Sequence, residues 1–239
     1  MTTHKFSSLL SIERDPKTIK NPGEYLVAIQ YLAPANTVRG HNMCPYASQG
    51  CKAACLFTAG KARIWPRINK ARIKRTKMFL YDREAYFQRL TNELHKFLEL
   101  CRERGKRPAV RLNGTSDIPW ELLNVDLFHN FSEAQFYDYT KIPARMSRSR
   151  PANYHITFSR SENNEALCLS LLRARKAAVT AVFDQRVKRN GYPKTYMGYP
   201  VVNGDQSDLR FTDPAGCWVG LYAKGRALKD KTGFVIRDF

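Results

Sequence analysis

The sequence is short of acid: 21 Asp and Glu stand against 40 Lys and Arg, a formal net charge of +19. That excess argues for a polyanionic partner, with nucleic acid the first such class, though acidic lipids or acidic small molecules also fit a basic chain. It also lacks any apolar run near the ~18 residues that a membrane helix requires. No basic amphipathic helix carries Trp and Leu on one face, so a membrane surface is not favoured either. The opening, MTTHKFSSLLSIERDPK, has no apolar stretch followed by a small-residue cleavage site, which argues against secretion. The expected compartment is therefore the cytoplasm, where thiols stay reduced and the six cysteines are not expected to form disulfides.

Several catalytic signatures are missing too. There is no G-x-x-x-x-G-K-[ST] phosphate loop, no G-x-G-x-x-G turn and no Ser-His-Asp nucleophile elbow. No helix-turn-helix, RNA-recognition or zinc-finger pattern occurs, so any nucleic-acid binding should be led by the backbone phosphates. Paired C-x2-C spacing, the usual mark of a structural zinc site, is absent. No fixed-length repeat and no low-complexity segment is present.

What is present suits one domain over residues 1–239, since apolar residues make up 43% and aromatics 12%, enough for a core. Residues 1–23 read as irregular, with Pro16 and Asn21-Pro22-Gly23 as turn signals. Tyr25–Leu32 (YLVAIQYL) reads as a buried strand. A cysteine loop spans 33–60, and a basic helical segment spans 61–105 as an insertion after that first strand. Its helices are expected at about Arg67–Tyr81 and Arg83–Gly105, the second burying Phe87, Leu90, Leu94, Phe97, Leu98 and Cys101. Further strands are expected at Ala109–Asn113, Gln135–Thr140, Tyr154–Ser159, Ala178–Asp184 and Cys217–Ala223, with a weaker one at Met197–Asn203. Strands alternating with helical pieces predict an α/β fold with a parallel sheet. The form expected is an incomplete parallel barrel of the (β/α)6 type.

Polar residues close these strands. Asn113, Ser116 and Asp117 follow one; Asp138 and Lys141 another; Ser159 and Glu162 the next; then Asp184. Ligands in parallel α/β sheets sit at that edge, so these residues and the cysteine loop are expected to converge. The plainer reading is that strands simply end in polar turns.

Within the loop, Cys44, Cys51 and Cys55 place three thiols in twelve residues with C-x6-C-x3-C spacing. Cys101 and Cys168 sit on element faces as packing residues do, whereas a tight triplet in a reduced compartment reads as metal ligands. Three thiolates without an obvious fourth suit a four-iron, four-sulfur cluster with one open iron. Zinc is the alternative, with His41 as the nearby fourth donor; Cys217 begins the last strand and lies at the wrong end of the sheet.

A cysteine triplet in the loop after the first strand, followed by βα units over about 24–225, resembles the radical S-adenosylmethionine architecture. That resemblance implies a cluster on Cys44, Cys51 and Cys55 whose open iron chelates S-adenosylmethionine. Asn113, Ser116, Asp117 and Ser159 would then meet the cofactor, and Asp138, Lys141, Glu162 and Asp184 would line a catalytic cavity. The spacing departs from C-x3-C-x2-C, and Asn113-Gly114-Thr115-Ser116-Asp117 stands where that family has a Gly-Gly-Glu-like turn. Across its whole length the chain also resembles uncharacterised phage and prophage proteins, through LAPANTVRGHNMCPYASQGCKAACLFTAGKAR, RLNGTSDIPWE, FYDYTK and VGLYAKGRALKDKTGFV. That likeness implies the cytoplasm of a host cell and carries no activity.

The segment Lys61–Lys77 has no acid. On a helix from Arg67, Lys70, Lys74 and Lys77 share one face, while Arg72 and Arg75 lie elsewhere. With Lys61, Arg63 and Trp65 ahead of it, this face could follow a phosphate backbone, with Trp65 stacking on a base. A solvated helix face is the plainer reading, although such faces normally mix both signs. Asp205, Asp208 and Asp213 could hold a divalent metal, but a polar loop with Arg210 pairing one of them is favoured. Two function classes follow: an iron–sulfur enzyme of the radical S-adenosylmethionine type acting on nucleic acid or another anion, and a non-catalytic nucleic-acid-binding accessory protein whose metal only stiffens the cysteine loop.

Overall fold

The computed structural model describes residues 6–13 and 23–239, apart from the side chains of Thr58 and Lys61. The Pro16 and Asn21-Pro22 turn signals lie outside the described residues. The chain is mixed α/β, and ten strands form a mostly parallel sheet. Two compact units interleave along the sequence: Met1–Cys44, Trp65–Asp138 and Ser149–His155 make the first, and Pro45–Ile64, Tyr139–Arg148 and Ile156–Phe239 the second.

In the first unit the apolar run of the sequence becomes β2 (Tyr25–Gln30), buried from Leu26 onward. It pairs in parallel with β3 (Arg107–Arg111), Tyr25 opposite Arg107 and Ile29 opposite Arg111. On its other edge runs β1 (Leu10–Ile12), antiparallel. The segment expected to be irregular therefore contains a strand, one too short for its alternation to show in the sequence. β4 (Gln135–Thr140) extends the order to β1-β2-β3-β4.

Between β2 and β3 come α1 (Gln49–Ala53), α2 (Lys61–Ile64), α3 (Pro66–Tyr81) and α4 (Arg83–Glu103). Pro66 opens α3 at a position where its missing N–H costs nothing. Asp82, with extended φ of −145°, ends α3 and starts α4. Along α4 Leu90, Leu94, Phe97, Leu98 and Cys101 are buried as the spacing implies, but Tyr86 is the buried aromatic of the first turn and Phe87, expected there, is only half-buried. Trp120 completes this core, edge-on to Phe79 and Phe87 and stacked on Tyr86.

The second unit holds the end of β5 (Tyr154–Ser159), then β6 (Val179–Phe183), β7 (Thr195–Tyr196), β8 (Tyr199–Asn203), β9 (Trp218–Tyr222) and β10 (Val235–Ile236). Their order is β5-β6-β9-β8-β7. β9 runs in parallel along the whole of β6, Val179 opposite Trp218 and Phe183 opposite Tyr222. The other flank of β6 is shared: β5 pairs with its start at Val179 and Thr180, and β10 with its end at Val182 and Phe183. α5 (Glu165–Arg173) buries Cys168, Leu171 and Leu172 against the strand residues Phe158, Val179, Phe183 and Trp218. Among the described residues no helix is long and apolar enough to cross a membrane.

Candidate functional site

In the first unit, the turn after β3 is built on Asn113. Its side-chain carbonyl accepts from Ser116 Oγ (2.8 Å), the Ile118 amide (3.0 Å) and Trp120 Nε1 (3.1 Å), and its amide donates to Ile118 O (2.9 Å). Asp138, fully buried, accepts from the Asn113 backbone amide (2.7 Å), from Asn113 Nδ2 (3.1 Å) and from Tyr154 Oη (2.7 Å). Asn113, Ser116 and Asp138 are thus brought together, as members of one hydrogen-bonded network that shapes a turn.

That turn meets the first cysteine. The Asp117 amide donates to Met43 O (2.8 Å), and Cys44 Sγ lies 3.7 Å from Thr115 O as donor. Gly114 donates to Gln30 O, and a Cβ there would lie 2.5 Å from that oxygen and from the Tyr31 ring. Only glycine lets the turn approach β2 so closely.

The second unit holds the other two thiols. Ser48 caps α1, accepting from the Cys51 amide (3.1 Å), and Glu162 accepts from Ser48 Oγ and from the Gly50 amide, both at 2.7 Å. Glu162, expected to be catalytic, satisfies the Gly50 amide and holds the capping hydroxyl of a helix that the sequence had suggested was loop. Cys51 is half-buried against Ala54, Ala223, Ala227, Phe234 and Val235. Cys55 Sγ accepts from the Phe57 amide (3.5 Å) and so caps the single helical turn Leu56–Thr58.

Of the remaining polar strand ends, Lys141 donates to Ser159 Oγ (2.8 Å), with its ammonium 5.7 Å from the Phe234 ring centroid. A cation holding a hydroxyl suits an anionic group. Asp184 is paired with Arg186 (3.0 Å) and with Arg237; hydrogen bonds from Arg186 hold its carboxyl below the usual range. Two carboxylates of the acidic loop have protein partners. Asp205 accepts from Tyr192 Oη (2.6 Å), the Tyr222 amide (2.9 Å) and Lys224 Nζ (2.6 Å), while Arg210 pairs with Asp213 at 3.2 Å. Burial pushes the Asp213 carboxyl up to about 6.

None of the six cysteines forms a disulfide among the described residues. Cys44, Cys51 and Cys55 are half-buried, whereas Cys101, Cys168 and Cys217 are buried. Burial pushes the thiols of Cys101 and Cys168 up to about 12 and that of Cys217 up to about 11. These three are inert packing residues. The donor chemistry of the triplet fits a thiolate-bound metal: an amide pointing at Cys55 Sγ is what a cluster ligand wants. In position the fit is incomplete, because among the described residues no group of three or more His, Cys, Asp or Glu is arranged to hold a metal ion.

The basic segment divides cleanly. Arg63, Trp65, Arg67, Lys70, Lys74 and Lys77 are exposed. Arg72 is buried with its guanidinium 4.9 Å over the Tyr31 ring, and Arg75 donates to Ser8 O (2.7 Å) beside Phe6. Burial lowers the pKa of Arg75 from its ordinary value. Lys61 lies in α2, its side chain outside the described ones. The helix thus turns two arginines inward as packing and leaves four cations on one face. Sequence reasoning missed Tyr81, which is exposed on that same face. Its spacing of four from Lys77 was a signal available in the sequence.

A family model described as Gene product 88 matches residues 7–238, and the chain belongs to that family. The match agrees with the likeness to uncharacterised phage-type proteins and brings no likeness to radical S-adenosylmethionine proteins. No curated protein and no solved structure matches.

Proposed function

We propose that this member of the Gene product 88 family binds nucleic acid through its phosphate backbone, using the outer face of α3. One observation carries the reading: Arg67, Lys70, Lys74 and Lys77 are exposed along one helix, and no Asp or Glu occurs from Tyr25 to Tyr81. At ~1.5 Å of rise per residue the four cations form a ladder about 15 Å long with steps of roughly 4.5–6 Å. That stretch of sequence holds no acid, which favours counterion release from a polyanion as its use.

The test is the double variant Lys70→Glu/Lys74→Glu in a binding titration at several salt concentrations. Affinity is expected to fall at least about tenfold near 0.1 M salt, with the log–log salt slope shallower by about two. Unaltered affinity and slope would sink the reading.

A second reading is favoured by the contrast between three half-buried thiols and three buried ones, and by the amide aimed at Cys55 Sγ. In it, Cys44, Cys51 and Cys55 hold a four-iron cluster, or zinc, and the parallel strands form an incomplete barrel as in radical S-adenosylmethionine proteins. The consecutive order β2-β3-β4 in one unit and the parallel β5-β6-β9 in the other support that form. A cluster with an open iron would supply a coordination site for S-adenosylmethionine or substrate. Lys141 and Ser159 are the pair suited to an anionic group beside it, whereas Asn113, Ser116 and Asp138 hold a turn, Glu162 caps α1, and Asp184 is ion-paired. Protein purified without oxygen should then show a broad band near ~400 nm and about four irons per chain. A colourless protein with one zinc overturns the cluster and leaves a zinc-stiffened binding protein.

A further inference from the structure

We propose that the outer face of α3 is a track for a single strand of nucleic acid, with Tyr81 and Trp65 as base-stacking stations at its two ends. This rests on the nucleic-acid reading above and narrows it to one substrate class.

Lys70, Lys74, Lys77 and Tyr81 follow one another at spacings of four, three and four, which is a single stripe on an α-helix. Tyr81 is the last residue of α3 and is 63% exposed. Its ring meets His41 edge-on, with centroids 5.5 Å apart and planes at 79°. His41 lies in the turn Val38–His41, which also carries the exposed Arg39. At the other end Trp65, immediately before the helix, is 50% exposed, and the Arg67 guanidinium sits 5.0 Å from its ring centroid. The stations are therefore separated by the length of the sixteen-residue helix, about 24 Å.

A lone exposed aromatic needs no explanation. Two that bracket a ladder of cations, inside a stretch of chain without acid, do need one. A duplex keeps its bases stacked inside, so a helix lying along its phosphates would leave both rings against sugar and phosphate. A single strand turns its bases outward, and every base offers a flat face to an aromatic ring regardless of sequence. The arrangement of charges between rings is the one single-strand binders use, and it predicts tolerance of sequence with strong salt dependence.

The experiment is fluorescence anisotropy with a labelled oligonucleotide, single-stranded and as its duplex, on the full chain. The single strand is expected to bind at least about tenfold tighter. Tyr81→Ala should weaken it about tenfold, the effect of one base on one aromatic, and leave the duplex unchanged, while Tyr81→Phe restores binding. Equal or tighter duplex binding, or an unaltered single-strand affinity in Tyr81→Ala, overturns the proposal while leaving the phosphate-binding reading standing. Binding of neither form at low salt overturns both.

Discussion

Asp138→Ala is expected to lower stability by about 3 kcal/mol or more, because it strands three buried donors at once. The Asn113 amide, Asn113 Nδ2 and Tyr154 Oη all give their hydrogens to this carboxylate, which has no exposure to solvent. The carboxylate is closed to bulk solvent in the parent, so the freed donors are left buried, and the turn that carries Ser116 and Asp117 loses its anchor. For a chain of this length the loss corresponds to a thermal midpoint lower by roughly 6–12 °C. Tyr154→Phe removes one donor together with its need for a partner, so it should cost only about 1 kcal/mol. Thermal unfolding of the two variants beside the parent checks both. A catalytic carboxylate would behave in the opposite way, since removing a charge held for chemistry leaves stability unaltered or improved. A midpoint for Asp138→Ala within about a degree of the parent would return Asp138 to the catalytic candidates.

Gly50→Ala carries the second large effect. An added Cβ would lie 2.6 Å from Phe234 Cβ and 2.9 Å from Glu162 Oε2, and would also strike Thr232. Phe234 Cβ is fixed by its backbone and cannot swing away, so α1 must move as a body. Two consequences follow. Stability should fall by about 2–3 kcal/mol, the cost of overpacking a tight contact. The Glu162 carboxylate should also lose its hold on the Gly50 amide and Ser48, freeing the turn that carries Cys51. Alkylation of Cys51 and Cys55 by a small maleimide should then run several-fold faster than in the parent. Cys101, Cys168 and Cys217 stay unlabelled in both, being buried with thiols pushed up to about 11 or 12. Unchanged stability together with unchanged labelling would show that α1 has room to spare beside Phe234.

Much of the fold is legible in the residues. Gln135–Thr140 and Tyr154–Ser159 occur as strands with the bounds that their apolar and β-branched content implies, and α3 and α4 begin and end within two residues of expectation. Long elements bury several turns or pleats, so their pattern rises above chance. β1, β7 and β10 have three residues or two, too few for any period, and exist because a neighbouring strand leaves unpaired backbone for them. α1 was hidden for a different reason. Ser48 alone is a weak start signal without an apolar period behind it, and the Glu162 carboxylate that completes the cap lies more than a hundred residues away in sequence. The candidate site shows the same division. The outward cations of α3 follow from helical spacing alone, and so does the inward turn of Arg72 and Arg75. The roles of Asp138 and Glu162 do not, because a carboxylate at a strand end looks the same in sequence whether it meets a substrate or a backbone amide.

The interleaving of the two units bears on how such a gene can vary. The chain passes from one unit to the other after Cys44, Ile64, Asp138, Arg148 and His155, so neither unit is a continuous stretch of coding sequence. A single crossover between Pro45 and His155 of two diverged copies would give each unit fragments from both parents, joining strands and core residues that never changed together. Hybrids of that kind would mispack in both units at once. Descent by substitution within an intact reading frame is the route this architecture leaves open, and exchange of one unit as a cassette is closed to it.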